Sequence, residues 1–459
     1  MHVFVFKQAA VCKILRLFPC RSPVLPPCPR PKRLVLRTEI TTISAACTPQ
    51  KELQRAYWQH REVQVNISSW SFWKVMLTSL LFLLCLGAVN AVFPTACTTP
   101  EALSAKICCP EFNGSECGIV DGRGECRIVT QDREMGKEEM VIDDRMKWMS
   151  FYYDKICICK GNYSGPDCGN CAHHLVEPDC IYQKTVMRRD LKEYSLQQRV
   201  AFFATLDYCK KVICPYYKII VTGDRHHKDT LSFWEVSYLD LFNFQHYYST
   251  KPILSDGSFT YATNFAHYSS SFLTWHRAML IFLEHLIRLC ISDQYFALPY
   301  GDWRNDPGCS YCNDDFLGAS DRHGRLSKYS VFSTWTCVCS EYDYINRYCM
   351  MPRSECERQK IFRKPGQHPS ARKPNARDVE NALQFETYDR APFTTSTTYC
   401  FRPVLEGFIS SANGWTRGTY CHNLWHVYLQ GTMSRVPIAA CDPLFILHHA
   451  FMDKYRYPD

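Results

Sequence analysis

Over most of its length the sequence has no surplus of basic residues. Residues 76–459 carry 41 Lys and Arg against 42 Asp and Glu, a balance of −1, whereas residues 1–75 carry 12 against 3. A nucleic-acid binder is disfavoured, because phosphate contact needs a basic face. A membrane-length apolar run is also lacking. The segment 76–89 (MLTSLLFLLCLGAV) stops short of the ~20 residues that a bilayer requires. An apolar content of 46% with 14% aromatics excludes global disorder. Cysteine, in contrast, is abundant. Its 27 residues in a chain of 459 suit an oxidising compartment, since cytosolic thiols are kept reduced.

The short apolar run ends in Val89-Asn90-Ala91 and reads as a secretory signal cleaved after Ala91. A signal belongs at an N-terminus, so Met76 is the expected start and residues 1–75, Pro- and Arg-rich, an expected non-native upstream extension. Sequons at Asn113 and Asn162 fit a glycosylated, secreted protein, and no stretch after Ala91 predicts a membrane anchor.

Residues 92–181 hold ten cysteines, at 97, 108, 109, 117, 126, 157, 159, 168, 171 and 180. So small a unit cannot bury enough core by itself, and an even cysteine set predicts a disulfide scaffold. Within it, Cys157-Ile-Cys159 followed by Gly165-Pro-Asp-Cys168 resembles the closing loop of an EGF-like module. That resemblance implies a Cys159–Cys168 bond, with Gly165 supplying the turn. The other pairings do not follow from the sequence.

Residues 190–459 read as mainly α with long loops. Apolar residues at three-to-four spacing predict helices over 191–206, 235–248, about 271–290, 419–430 and 443–455. Two histidine groups lie on or beside them. His422 and His426 are four apart and share one helix face, as two ligands of one metal must. Asp442-Pro443 suits the start of the next helix, whose His448-His449 pair sits among Phe445, Ile446 and Phe451. Imidazoles in so apolar a helix cost desolvation unless they bind something. The earlier group is His246, His267 and His276. Taken alone, His246 or His267 reads as a hydrogen-bonded core residue. Two three-histidine sets in one domain do not. His226, His227, His285, His323 and His368 lack such a setting and read as surface or structural. Three neutral nitrogens per metal leave positions open for an exogenous ligand, which suits copper handling dioxygen and also catalytic zinc.

The motifs Phe244-Gln-His246, Phe265-Ala-His267, Phe272-Leu-Thr-Trp275-His276-Arg277, Cys421-His422-Asn423-Leu-Trp-His426 and Asp442-Pro-Leu-Phe-Ile-Leu-His448-His449 resemble those of the tyrosinase family of type 3 copper proteins. The ligand spacings of 21 and 9, then 4 and 23, fit the same family. The cysteine-rich module, with Cys108-Cys109-Pro and Gly122-Arg-Gly-Glu-Cys126, resembles its vertebrate-like branch, and the resemblance spans roughly 92–453. It implies a helical-bundle core holding two copper ions, one on His246, His267 and His276, the other on His422, His426 and His449. It implies oxidation of small phenols or protein tyrosines to o-quinones by dioxygen, for melanin formation or quinone tanning. Glu406 and Asn423 correspond to residues that hold a proton-accepting water. Val436 and His448 correspond to the substrate pocket.

His448 stands where zinc-binding, dopachrome-rearranging relatives resemble Leu, which favours an oxidase over that alternative. An oxygen carrier and a decayed, non-catalytic homologue are the further alternatives. Gly301, in place of a Trp, predicts a gap near the first site that other side chains fill. Cys309/Cys312 and Cys339/Cys349 match family pairs, whereas Cys209, Cys214, Cys290, Cys337, Cys356, Cys400, Cys421 and Cys441 have no obvious counterpart. Cys421 and Cys441 flank ligands of the second copper, where a disulfide would brace the site and a free thiol would offer a metal ligand. The family's helix continues beyond the position of Asp453, whereas this sequence ends six residues later at Asp459 with Pro458 against a helix, so a truncated C-terminus is expected.

Overall fold

The computed structural model describes residues 92–129, 145, 148–161, 163–171, 186–222, 231–251, 264–337, 360–369, 371–391, 393, 399–410 and 416–455. The expected upstream extension and signal segment lie outside these residues. So do Asn162, His226, His227, Cys180, Cys339, Cys349, Cys356 and the end of the chain after Tyr455.

The cysteine-rich part is built of short elements: β1 (Val92–Pro94), α1 (Pro100–Ala105), β2 (Ile107–Cys108), β3 (Glu111–Phe112), β4 (Ser115–Glu116), β5 (Gly124–Ile128), α2 (Trp148–Tyr152), β6 (Lys155–Cys159), β7 (Tyr163–Ser164) and β8 (Asn170–Cys171). Disulfides take the place of a large core. They join Cys97–Cys108, Cys109–Cys126, Cys117–Cys157 and Cys159–Cys168, the last being the bond that the sequence implied.

The remainder is mainly α. Helix α3 (Leu196–Lys211) starts later than its apolar spacing suggested, because Ser195 and Gln198 form a capping box. Helix α4 (Tyr238–Thr250) is likewise set by its cap, Ser237 Oγ accepting from Asp240 N at 3.1 Å. Helix α5 (Phe272–Ile291) buries Leu273, Leu280, Leu283, Leu286 and Ile287. After α6 (Ala376–Leu383) and α7 (Phe401–Glu406) come α8 (Cys421–Leu429) and α9 (Pro443–Lys454). The last begins where Asp442-Pro443 predicted, with Asp442 Oδ1 accepting from Leu444 N at 2.9 Å.

One sheet was not anticipated. Strands β9 (Ile213–Thr222) and β10 (Ser232–Ser237) pair antiparallel, and β1 closes the other edge, Val92 opposite Ile219. The run ICPYYKIIVT is rich in β-branched and aromatic residues, which favour a strand over the irregular connection expected there. The first strand of the cysteine-rich part thus completes the sheet of the helical part. A second tie is Arg145, fully buried, whose guanidinium donates to the carbonyls of Tyr248, Ser249 and Lys251 at 3.2, 3.3 and 2.8 Å. A cation at these orphan C-terminal carbonyls of α4 satisfies them and complements the helix dipole.

Two charge clusters, one partly and one fully buried, set the helices that matter most. Arg188 donates to Glu284 of α5 at 2.9 Å and to Asp453 of α9 at 3.0 Å, pinning these helices side by side. Arg363, fully buried, donates to Asp442 at 3.0 Å and to the carbonyls of Gly318 and Leu317 at 3.1 and 2.9 Å, which anchors the start of α9. Cys209–Cys290 and Cys309–Cys312 are bonded, the former joining α3 to α5. Among the described residues, no helix is long and apolar enough to cross a membrane.

Candidate metal centre

Helices α4 and α5 and the loop 264–271 between them bring His246, His267 and His276 together; α8 and α9 bring His422, His426 and His449 together. In each set, ligand atoms from all three rings lie within 4.8 Å of one another. The sets adjoin. The His276 and His449 rings stack with centroids 4.1 Å apart, and His267 lies 6.1 Å from His422. His246, His276, His422 and His449 are 3% exposed or less.

Five of these six rings are oriented through Nδ1. His246 meets Pro437 O at 3.5 Å, His267 meets Asn264 Oδ1 at 3.2 Å and His276 meets Phe272 O at 2.8 Å. His422 meets Glu406 O at 3.2 Å and Asn423 Oδ1 at 3.0 Å, and His426 meets Met433 O at 2.7 Å. A carbonyl oxygen can only accept, so Nδ1 donates and Nε2 presents its lone pair to the centre. Nε2 of His246 and of His276 are buried with no protein partner. Nε2 of His422 lies 3.1 Å from that of His426 and 3.4 Å from that of His449. Lone pairs so placed repel one another unless a cation lies between them. The donor set therefore fits a metal ion in each triad.

Burial keeps the rings neutral. It lowers His276 to about 3 and His426 to about 4, and holds His246, His267, His422 and His449 well below the ordinary imidazole value. Neutral imidazole is the form that binds metal.

His448 is held the other way round. Trp303 Nε1 donates to its Nδ1 at 3.1 Å, which puts the ring proton on Nε2. Its ring stacks on His422, with centroids 5.0 Å apart, and is 1% exposed. Val436 is 38% exposed, one residue before the Pro437 carbonyl that meets His246. Glu406 is fully buried. Its Oε1 accepts from Tyr268 N at 2.7 Å and its Oε2 from Arg402 at 3.0 Å. Burial pushes its carboxyl up to about 7 against the pull of Arg402.

Some expectations change. A Cβ at Gly301 would meet Leu447 at 3.1 Å and Tyr311 at 3.2 Å, so those side chains fill the gap. Gly301 also lies against α9 of the second triad, donating to Leu447 O at 3.0 Å, rather than beside the first. Cys421 and Cys441 do not bond to each other. Both thiols are buried and free, and Cys441 faces Cys337 instead. Burial raises the Cys421 thiol, which disfavours the thiolate that binds metal. His285, His323 and His368 join neither triad. Two residues of the site, Trp303 and Arg402, carried no signal of their own in the sequence. Asn264 carried a weak one, an Asx residue three before a histidine.

A family model described as the common central domain of tyrosinase matches residues 231–456. The chain is 35% identical over 378 residues to tyrosinase of Bos taurus, covering 79% of this chain and 71% of that protein. It is 34% identical over 396 residues to tyrosinase of Pelophylax lessonae, covering 83% and 74%. It is 31% identical over 397 residues to 5,6-dihydroxyindole-2-carboxylic acid oxidase of Carassius auratus, covering 82% and 74%. The chain belongs to the tyrosinase family, it is an oxidoreductase of that family, and its cofactor is a pair of copper ions.

Proposed function

We propose that this protein oxidises phenols to o-quinones with dioxygen, hydroxylating monophenols and oxidising o-diphenols, within the secretory pathway. The observation that carries this reading is the pair of adjoining three-imidazole sets, every ring neutral and all but the partly buried His426 enclosed in one core. In this reading His246, His267 and His276 hold one copper, and His422, His426 and His449 hold the other. When bound, the pair supplies two-electron exchange with dioxygen and a Lewis-acid seat for a phenolate oxygen.

The chain's own residues orient, exclude water and move a proton. Phe272 and Phe445 pack against the imidazoles, the His449 ring lying 4.0 Å from that of Phe445, and so keep the centre dry. Asn423 and Glu406 both meet the Nδ1–H of His422 and lie beside the second triad. A carboxyl raised to about 7 changes protonation near neutral pH, which suits Glu406, through a water shared with Asn423, to accept the phenol proton. Val436 would pack on the substrate ring, and His448 would line the pocket behind it. Substrates are small phenols of the tyrosine or dopa class, or tyrosines on a protein. The disulfide-rich part supports passage through an oxidising compartment.

A narrower reading, diphenol oxidation alone, is favoured by the similarity to the 5,6-dihydroxyindole-2-carboxylic acid oxidase. One experiment separates the two. The copper-loaded protein is given a monophenol or a catechol, and oxygen uptake is recorded beside copper content. Uptake with both supports the full reading, and uptake with the catechol alone supports the narrower one. No uptake with two coppers bound, or a preference for zinc, sinks both.

A further inference from the structure

We propose that Glu406, held by an Arg402 that Asp389 fixes in turn, is a brace that holds the two copper sites in register. The inference rests on the dicopper reading above and adds a second task for Glu406. This one residue reaches both triads. Its main-chain carbonyl accepts the Nδ1–H of His422, while its carboxylate accepts the N–H of Tyr268, the residue after His267, at 2.7 Å.

Tyr268 needs such a hold. Its φ is 62°, a left-handed conformation that a tyrosine adopts only when its surroundings impose it. The other carboxylate oxygen takes Arg402 at 3.0 Å, and the same guanidinium donates to Asp389 at 2.9 Å. Asp389 accepts from Ser270 Oγ at 2.7 Å, and Tyr388 donates to Ser270 O at 2.8 Å. The loop carrying His267 is therefore grasped at residues 268 and 270 by one arm.

The root of that arm is fixed to the second site. Gly407 ends α7 at φ 102°, and a Cβ there would lie 2.0 Å from Tyr420 O. Only glycine lets α7 close onto the start of α8, where Tyr420 N donates to Gly407 O at 2.9 Å. The position of His267 relative to His422 thus depends on a chain of contacts through residue 406. Arg402 acts through Glu406, Asp389 acts through Arg402 and Ser270, and both are positioning residues.

The test uses Arg402→Lys and Asp389→Asn in the full chain. Copper per chain is measured with the fraction of Cu(II) visible by electron paramagnetic resonance, since two Cu(II) sharing a bridging ligand pair their spins and fall silent. Amide exchange at Tyr268 is followed in the metal-free protein, with α4 amides as control. We expect Arg402→Lys to keep copper binding but make much of it visible, and to speed Tyr268 exchange about tenfold while α4 is unchanged. Asp389→Asn moves both readouts the same way by less, and decides alone if the lysine variant does not fold. Wild-type spin pairing with unchanged Tyr268 exchange in the variants overturns the brace, as does equal acceleration in α4. Failure of the unmodified protein to pair copper overturns the dicopper reading instead, and Tyr268 exchange then judges the brace.

Discussion

The two triads are built in opposite ways. The second takes two imidazoles from one helix, His422 and His426 on α8, and a third from α9, anchored at its start by the buried Arg363–Asp442 pair. The first takes one imidazole each from α4, α5 and an irregular loop, whose His267 is oriented by Asn264 three residues before it. A helix sets the spacing of two ligands through its own backbone. A loop must borrow that precision from elsewhere, here from Asn264, from Glu406 and, at the end of α4, from Arg145. The lesson is that two chemically equal sites differ in how much distant structure each one needs.

The most drastic break in the comparison removes a ligand. His276→Ala and His449→Ala should each reduce bound copper from two ions to one and abolish oxygen uptake, as metal analysis and an oxygen electrode would report. Retention of both coppers would remove that histidine from the ligand set.

Acid strikes both sites together. The imidazoles are depressed in the folded metal-free protein, to about 3 for His276 and about 4 for His426 from an ordinary 6.5. The unfolded chain therefore binds more protons between those values, and stability falls as pH drops from about 6.5 towards 4. Denaturant midpoints of the metal-free protein across that window check the sign. A flat profile would refute the burial argument.

Asp442→Ala leaves Arg363 buried without its carboxylate and should cost about 3–5 kcal/mol, read by denaturant unfolding. The loss should fall on the second site first, seen as copper that dissociates from it at lower denaturant.

Asn264→Ala removes the only described acceptor of the His267 Nδ1–H and should weaken copper binding at the first site by about 10–100-fold. Asn423→Ala should weaken the second site less, because the Glu406 carbonyl still accepts from His422. Competitive chelator titration measures both, and equal losses would erase the asymmetry. Ser237→Ala, which uncaps α4, is the mildest change, at about 1 kcal/mol. No such change exists for α8, whose N-cap Tyr420 makes no side-chain capping bond.

Legibility followed the same division. His422 and His426 were readable as a pair because helical periodicity is local, and Asp442-Pro443 marked the start of α9 for the same reason. His246 and His267 became credible only as part of a repeated pattern and a family resemblance, since the carbonyl that meets His246 belongs to the distant Pro437 and Asn264 marks His267 only weakly. The sheet of β1, β9 and β10 was missed because one strand comes from residues 92–94 and the others from beyond residue 212.

What the sequence by itself determined is what short-range chemistry determines. It set the helices and their caps, the Cys159–Cys168 loop, six histidines at family spacing and a cysteine content that suits an oxidising compartment. Only the tertiary structure decided which nitrogen each ring presents. It turned His449 Nε2 towards Nε2 of His422 and gave Nδ1 of the adjacent His448 to Trp303. It left Cys421 and Cys441 unbonded to each other, and it made Arg145 and Arg402 the supports of a loop and a helix far from them in sequence. The physical reason is that a ring's tautomer and a buried charge's partner depend on which atoms arrive across the core, and those come from distant parts of the chain.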